Sequence, residues 1–105
     1  MSEKLLIEEA LKRREVFANL EKHLEEVKRA VLAVDEYAEV YLFGSVAEGR
    51  HTLSSDIDIL IVTDKDHVMV RSALWRAGVR PPFELHIQTR EKAQYYIGRA
   101  KTRKI

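Results

Sequence analysis

The sequence predicts a small α/β (α+β) protein in which helices flank a mixed sheet of three strands. Three observations support this class. The first third of the chain lacks Pro and Gly and repeats apolar residues at helical spacing, three later runs are short, apolar and β-prone, and turn or helix-capping residues separate those runs. At 105 residues, with 46 % hydrophobic and 33 % charged residues, the chain is expected to form one domain with a single core over residues 1–105.

The N-terminal segment, residues 1–35, is predicted to contain one long helix over residues 3–34. Its apolar face, interrupted by Arg13, consists of Leu6, Ala10, Phe17, Leu20, Leu24, Val27, Val31 and Val34. A helix of about 30 residues is about 45 Å long, which exceeds what a small sheet covers. Two interpretations remain open: the helix only covers one side of the sheet, or its outer end packs on another chain, either a second copy or a different protein.

The central segment, residues 40–88, holds the predicted strands. The first strand is residues 40–43, a short helix follows at 45–48 and ends near Gly49, and a polar loop leads into the second strand at 56–62. Thr63 or Asp64 is expected to cap the next helix, which Gly78 ends and whose Trp75 is expected in the core. After two prolines, residues 83–87 alternate as a third strand.

The C-terminal segment, residues 89–105, is predicted to be a helix followed by a tail. The helix begins at Thr89 or Arg90 and ends near residue 98 or 99. The end of the chain is basic, and such short basic ends are usually only solvated. Its basic residues are Arg99, Lys101, Arg103 and Lys104.

Composition excludes several classes of function. The chain has no cysteine, so disulfides and thiolate metal sites are absent. No apolar run approaches the roughly 20 residues of a membrane span. Charged residues interrupt the N-terminus where a signal peptide would be apolar, so a cytoplasmic location is expected. The net charge of +1 does not support a surface that binds nucleic acid, so no nucleic-acid partner is expected.

Residues Gly44 and Ser45 form a small-residue turn between the first strand and the short helix. A turn of this kind exposes backbone N–H groups that can hold phosphate oxygens. The sequence therefore predicts a phosphate-binding turn at this point.

Acidic residues follow on the next two strands. Asp56 and Asp58 are two apart, so they share one face of the second strand, about 7 Å apart. Glu84 joins them if the third strand neighbours the second. Three converging carboxylates repel one another unless a cation lies between them, so this pattern predicts a divalent metal such as Mg²⁺. His86 shares the face of Glu84, although the four histidines show no close ligand spacing and surface or edge placement is the favoured interpretation.

The combination of Gly44-Ser45, ten residues, Asp56-Ile57-Asp58 and then Phe83-Glu84-Leu85 resembles the DNA-polymerase-β-like nucleotidyltransferase superfamily, and within it the minimal nucleotidyltransferases. The resemblance covers residues 40–87. It implies that Gly44 and Ser45 hold the phosphates of ATP. It also implies that the three acidic residues bind Mg²⁺, two ions when nucleotide is bound, and that Glu84 helps to activate an acceptor hydroxyl.

The turn departs from the family pattern. Minimal nucleotidyltransferases often read Gly-Ser-Arg-Ala-Arg-Gly, whereas this chain has Val46 and Glu48 where the arginines stand. Arg50 is the candidate replacement cation, at a shifted position. The third carboxylate is a glutamate, Glu84, where aspartate is common.

Many minimal nucleotidyltransferases resemble antitoxins whose partner is a helical HEPN-domain toxin. The resemblance implies transfer of AMP from ATP to a tyrosine of such a partner. Three alternatives stay open. The chain is an antitoxin that binds nucleotide and neutralises its partner by contact alone, it acts on a small molecule, or it is a structural domain with an acidic patch. A homodimer also remains open.

Overall fold

The computed structural model describes residues 2–99 and 101–105 of the chain. These residues form five helices and four strands, and the fold class is the predicted one. In chain order the elements are α1 Glu3–Ala18, α2 Leu20–Val34, β1 Glu39–Phe43, α3 Gly44–Ala47, β2 Ile57–Val62, α4 His67–Arg76, β3 Phe83–Gln88, α5 Arg90–Ile97 and β4 Thr102–Lys104.

The four strands form one mixed sheet in the order β3-β2-β1-β4. Strand β2 runs parallel to β3 and antiparallel to β1, as a mixed sheet requires. The predicted count of three strands is wrong, because the tail pairs with β1 as β4 and is not merely solvated. Lys104 Nζ lies 3.0 Å from Glu39 Oε1, and the Ile105 N–H donates to the Val40 carbonyl at 2.9 Å. A three-residue strand is too short to show period-two alternation, so the pattern could not predict it.

The sheet separates two apolar layers. Helices α2 and α4 pack on one face, where the buried residues include Leu24, Val27, Val31, Val40, Leu42, Ile57, Ile59, Ile61, Val70, Leu74 and Ile87. Helix α5 packs on the other face, where Leu60, Val62 and Ala93 are buried. Since side chains alternate along β2, Asp58 belongs to the α5 face with Leu60 and Val62.

The predicted single N-terminal helix is wrong in its continuity, because it breaks at Asn19. This residue has φ −121° and ψ 35°, and its side-chain amide donates to the Glu15 carbonyl at 3.1 Å. Such local side-chain bonds compete with the helical ladder, which explains the break. The prediction for Trp75 is also wrong: its side chain is 58 % exposed, because the neighbouring Leu74 takes the inward position on α4.

Helix α1 contributes little to the core, and Val16 is its one residue described as buried. Its outer half leaves large apolar side chains between 42 % and 59 % exposed, namely Leu5, Leu6, Ile7 and Leu11. Of the helices in residues 2–99 and 101–105, none has both the length and the apolar character to cross a bilayer.

Candidate active site

The sheet brings two of the three predicted carboxylates together. Asp58 on β2 is paired in parallel register with Glu84 on β3, so their side chains leave the same face of adjacent strands. The Asp58 side chain is 24 % exposed and the Glu84 side chain is 53 % exposed. Asp58 therefore lies at the inner end of the pair and Glu84 at its open, solvent side.

His86 lies between these carboxylates. Its Nε2 atom is 3.3 Å from Asp58 Oδ1 and 3.6 Å from Glu84 Oε1. Its ring packs edge-on against Phe43, with centroids 4.9 Å apart. The favoured expectation of edge placement agrees with β3 being an edge strand of the sheet. The shared face of His86 and Glu84 was predicted, whereas the turn of the ring toward the acidic pair was not the favoured interpretation.

The Gly44 turn lies directly against Asp58. Gly44 has φ +75°, and a Cβ atom at this position would collide with Asp58 Oδ2 and lie 3.2 Å from Asp58 Cγ. Only glycine combines this left-handed backbone with so close an approach. No side chain caps the start of α3, and the first N–H groups of a helix have no partner inside it. The predicted phosphate turn at Gly44 and Ser45 is thus adjacent to the acidic pair.

Asp56 is placed differently from the other two carboxylates. It precedes β2, and its Oδ1 atom lies 3.5 Å from a guanidinium nitrogen of Arg13 in α1. A second nitrogen of Arg13 donates to the Ser55 carbonyl at 2.8 Å. Nothing in the apolar pattern of the N-terminal segment indicates this contact, because Arg13 is visible there only as an interruption. The role of Asp56 as a metal ligand stays a prediction.

Arg50, the candidate phosphate cation, forms an ion pair with Glu48. Its guanidinium nitrogen is 2.6 Å from Glu48 Oε2, and the Arg50 side chain is 70 % exposed. The negative charge that Glu48 adds to the turn is therefore balanced locally. Contact of Arg50 with a phosphate stays a prediction.

The donor set at the acidic pair fits a divalent cation. Within residues 2–99 and 101–105, potential metal-ligating atoms converge at Asp58, Glu84 and His86, all within 4.8 Å of one another. Ligand atoms bound to one ion at about 2.1 Å are about 3.0–3.5 Å apart, close to the 3.3 and 3.6 Å between His86 Nε2 and the two carboxylates. The close approach of Gly44 to Asp58 places the backbone at the start of α3 next to these ligand atoms.

A protein-family model matches most of the chain. The family model for the nucleotidyltransferase domain matches residues 20–104, which span α2 to β4. Among curated proteins, no sequence matches the chain significantly.

Two solved structures are similar to the chain. One, described as a proposed nucleotidyltransferase, has a TM-score of 0.65 and 30 % identity, and the match covers 79 % of this chain and 97 % of that one. The other, a proposed nucleotidyltransferase from Sulfolobus solfataricus, has a TM-score of 0.62 and 24 % identity, and covers 91 % and 85 % of the two chains. The second likeness concerns the fold alone.

Proposed function

We propose that this chain transfers AMP from ATP to a hydroxyl group with the help of divalent cations. The chain belongs to the nucleotidyltransferase domain family, whose model matches residues 20–104. The observation that carries the proposal is the position of the Gly44 turn against Asp58, whose neighbour is Glu84. A phosphate-binding turn and a cation-binding acidic pair are the two parts that nucleotidyl transfer needs at one place.

Each part of the site has a distinct task in this proposal. The backbone N–H groups at Gly44 and Ser45, with the Ser45 hydroxyl, bind the β- and γ-phosphates. Asp58, Glu84 and the predicted Asp56 would hold divalent cations such as Mg²⁺, two ions when ATP is bound. When bound, these ions would neutralise phosphate charge and stabilise the attacking and leaving oxygens.

The transfer itself is an in-line displacement at the α-phosphorus of ATP. The acceptor oxygen forms the new P–O bond, the bond to the β-phosphate breaks, and pyrophosphate leaves. Glu84 takes the proton of the acceptor hydroxyl. Its larger exposure than that of Asp58 supports this division, because the base must reach an incoming acceptor.

The acceptor in this proposal is a tyrosine of a HEPN-type helical partner, and the chain acts as its antitoxin. Support comes from the exposed apolar side chains of α1, which a partner protein would cover. This part of the proposal rests on the resemblance of minimal nucleotidyltransferases to antitoxins.

The test is to co-produce the chain with its helical partner and to map AMP on the partner by peptide mass spectrometry. Wild type and Glu25→Gln, which changes an exposed acid on α2, are expected to give an AMP-tyrosine peptide. Glu84→Gln is expected to reduce its yield at least about a hundredfold, as loss of a catalytic base does. Equal modification of the partner by Glu84→Gln and Glu25→Gln would refute the role of Glu84. AMP found on a small molecule alone would refute the protein acceptor.

A second candidate function is an antitoxin that neutralises its partner by contact without catalysis. Two ion pairs favour this candidate. Arg13 pairs with Asp56, a predicted metal ligand, and Glu48 pairs with Arg50, the predicted phosphate-binding cation. Under this candidate, Glu84→Gln would leave neutralisation of the toxin unchanged and no AMP would appear on the wild-type complex.

A further inference from the structure

We propose that His86 is a metal ligand, and that its imidazole makes the site prefer a transition ion such as Mn²⁺ to Mg²⁺. The inference rests on the proposed function, because it concerns the cation that Asp58 and Glu84 would hold. It goes beyond that function, since the residues that carry the family resemblance assign nothing to His86.

The first support is the direction of the imidazole. A single atom, His86 Nε2, faces both carboxylates, at 3.3 Å from Asp58 and 3.6 Å from Glu84. The contact with Asp58 is a hydrogen bond, and a ligand oxygen of Glu84 lies within 4.8 Å of both partners. The same nitrogen and two carboxylate oxygens therefore border one common space, as the ligands of a single ion do.

The second support is that the surroundings hold the ring in this orientation before any ion binds. Phe43 packs edge-on against it, and Tyr96 lies with its centroid 6.2 Å away. The Gln88 amide in turn donates to the Tyr96 hydroxyl at 3.3 Å. With only 26 % of its side chain exposed, His86 has little freedom left to lose on binding an ion.

The third support is the chemistry of the ligands. Mg²⁺ takes oxygen ligands and keeps several waters, whereas imidazole nitrogen suits transition ions. Mn²⁺ accepts both carboxylate and imidazole, so a set of two carboxylates and one imidazole discriminates against Mg²⁺. His86 is then the residue that determines which ion occupies the site.

The experiment uses metal-free wild-type protein with Mn²⁺ alone and records electron spin-echo envelope modulation, which detects nitrogen bound to manganese. Wild type is expected to show ¹⁴N coupling. His86→Gln should lose it, while the matched control His51→Gln should keep it, because His51 stacks on Phe17 with centroids 5.0 Å apart instead of joining the cluster. Calorimetric titration of the same proteins should show the preference for Mn²⁺ over Mg²⁺ falling about tenfold in His86→Gln only.

The outcomes separate this inference from the proposed function. If wild type binds Mn²⁺ without nitrogen coupling, the role of His86 is refuted while the carboxylate site stands. If wild type binds neither Mn²⁺ nor Mg²⁺ at millimolar concentration, both the role of His86 and the cation site of the proposed function are refuted. If His86→Gln does not fold, the other three histidines provide the test, because the chain has only four. Coupling retained in His23→Gln, His51→Gln and His67→Gln would then assign the nitrogen to His86, and its loss in one of them would overturn the inference.

Discussion

A guanidinium nitrogen of Arg13 in α1 lies 3.5 Å from the carboxylate of Asp56, the residue directly before β2. One turn further along α1, the Phe17 ring stacks on His51 with an interplanar angle of 5°. Helix α1 thus contacts His51 and Asp56, the two ends of the loop that leads into β2. The same helix carries the exposed apolar residues, so a protein bound to α1 would contact the element that holds Asp56.

Replacing Arg13 by Gln is expected to tighten the binding of a divalent cation by about two- to fivefold. The change removes a positive charge that competes for Asp56, and the effect stays small because partly exposed pairs contribute only about 0–1 kcal/mol. Calorimetric titration with Mn²⁺ measures it. The control is Arg14→Gln, the same charge change on an exposed neighbour; equal affinities in the two variants would mean that Asp56 takes no part in binding the ion.

Gly44→Ala is expected to abolish cation and ATP binding, whereas Gly49→Ala is expected to preserve both. The two glycines have nearly equal φ values of +75° and +72°, so both variants should lose about 1–2 kcal/mol of stability through backbone strain. Only at position 44 does the added Cβ collide with Asp58, since nothing lies within 4 Å at position 49. Thermal unfolding with and without Mn²⁺ and ATP compares them, and a ligand-induced rise in Tm for Gly44→Ala would contradict the proposed site.

Low pH should destabilise the protein, in part because it protonates the Asp35 carboxylate. The hydroxyl of Thr63 donates to Asp35 at 2.6 Å and the Tyr37 N–H donates at 3.0 Å, and these bonds hold the pKa of Asp35 below its ordinary value of 3.8. Because the folded pKa is the lower one, the stabilisation is present at pH values above 3.8 and is lost as the pH falls through the folded pKa.

The variant Asp35→Asn isolates this contribution. Its Tm should be lower than that of wild type at neutral pH, and the gap should narrow as the pH falls below about 4. The control Glu25→Gln changes an exposed acid and should follow wild type throughout. A gap between wild type and Asp35→Asn that stays constant from neutral to acid pH would show that the ionised Asp35 carboxylate does not stabilise the fold.

Charging the outer half of α1 is expected to weaken association with a partner without unfolding the chain. Ile7 and Leu11 are 59 % and 57 % exposed and one helical turn apart, so Ile7→Glu with Leu11→Glu places two charges on a surface that a partner would bury. The control Val68→Glu alters an equally apolar residue, 75 % exposed on α4. Pull-down of the co-produced helical partner with light scattering compares the proteins, and unchanged association of the double variant would exclude α1 as the docking surface.

The sequence predicted those parts of the fold and site that follow from local periodicity. Alternation along β2 and β3 placed Asp58 and Glu84 on one face on the condition that the two strands are neighbours, and the sheet pairs β2 with β3. Period two also placed His86 on this face, but it cannot show the direction in which an imidazole turns. The break at Asn19 depends on a side-chain hydrogen bond, and the contact of Arg13 with Asp56 joins residues 43 positions apart. Neither leaves a periodic pattern, so neither could be predicted.

The most direct test of nucleotidyl transfer compares ATP labelled on the α-phosphate with ATP labelled on the γ-phosphate. The protein is incubated with its co-produced partner and Mn²⁺ or Mg²⁺, and label on the partner is measured for wild type and Asp58→Asn. The account predicts label from the α-phosphate only, dependent on the cation and absent with Asp58→Asn. Label from the γ-phosphate, or equal α-label with Asp58→Asn, would contradict it.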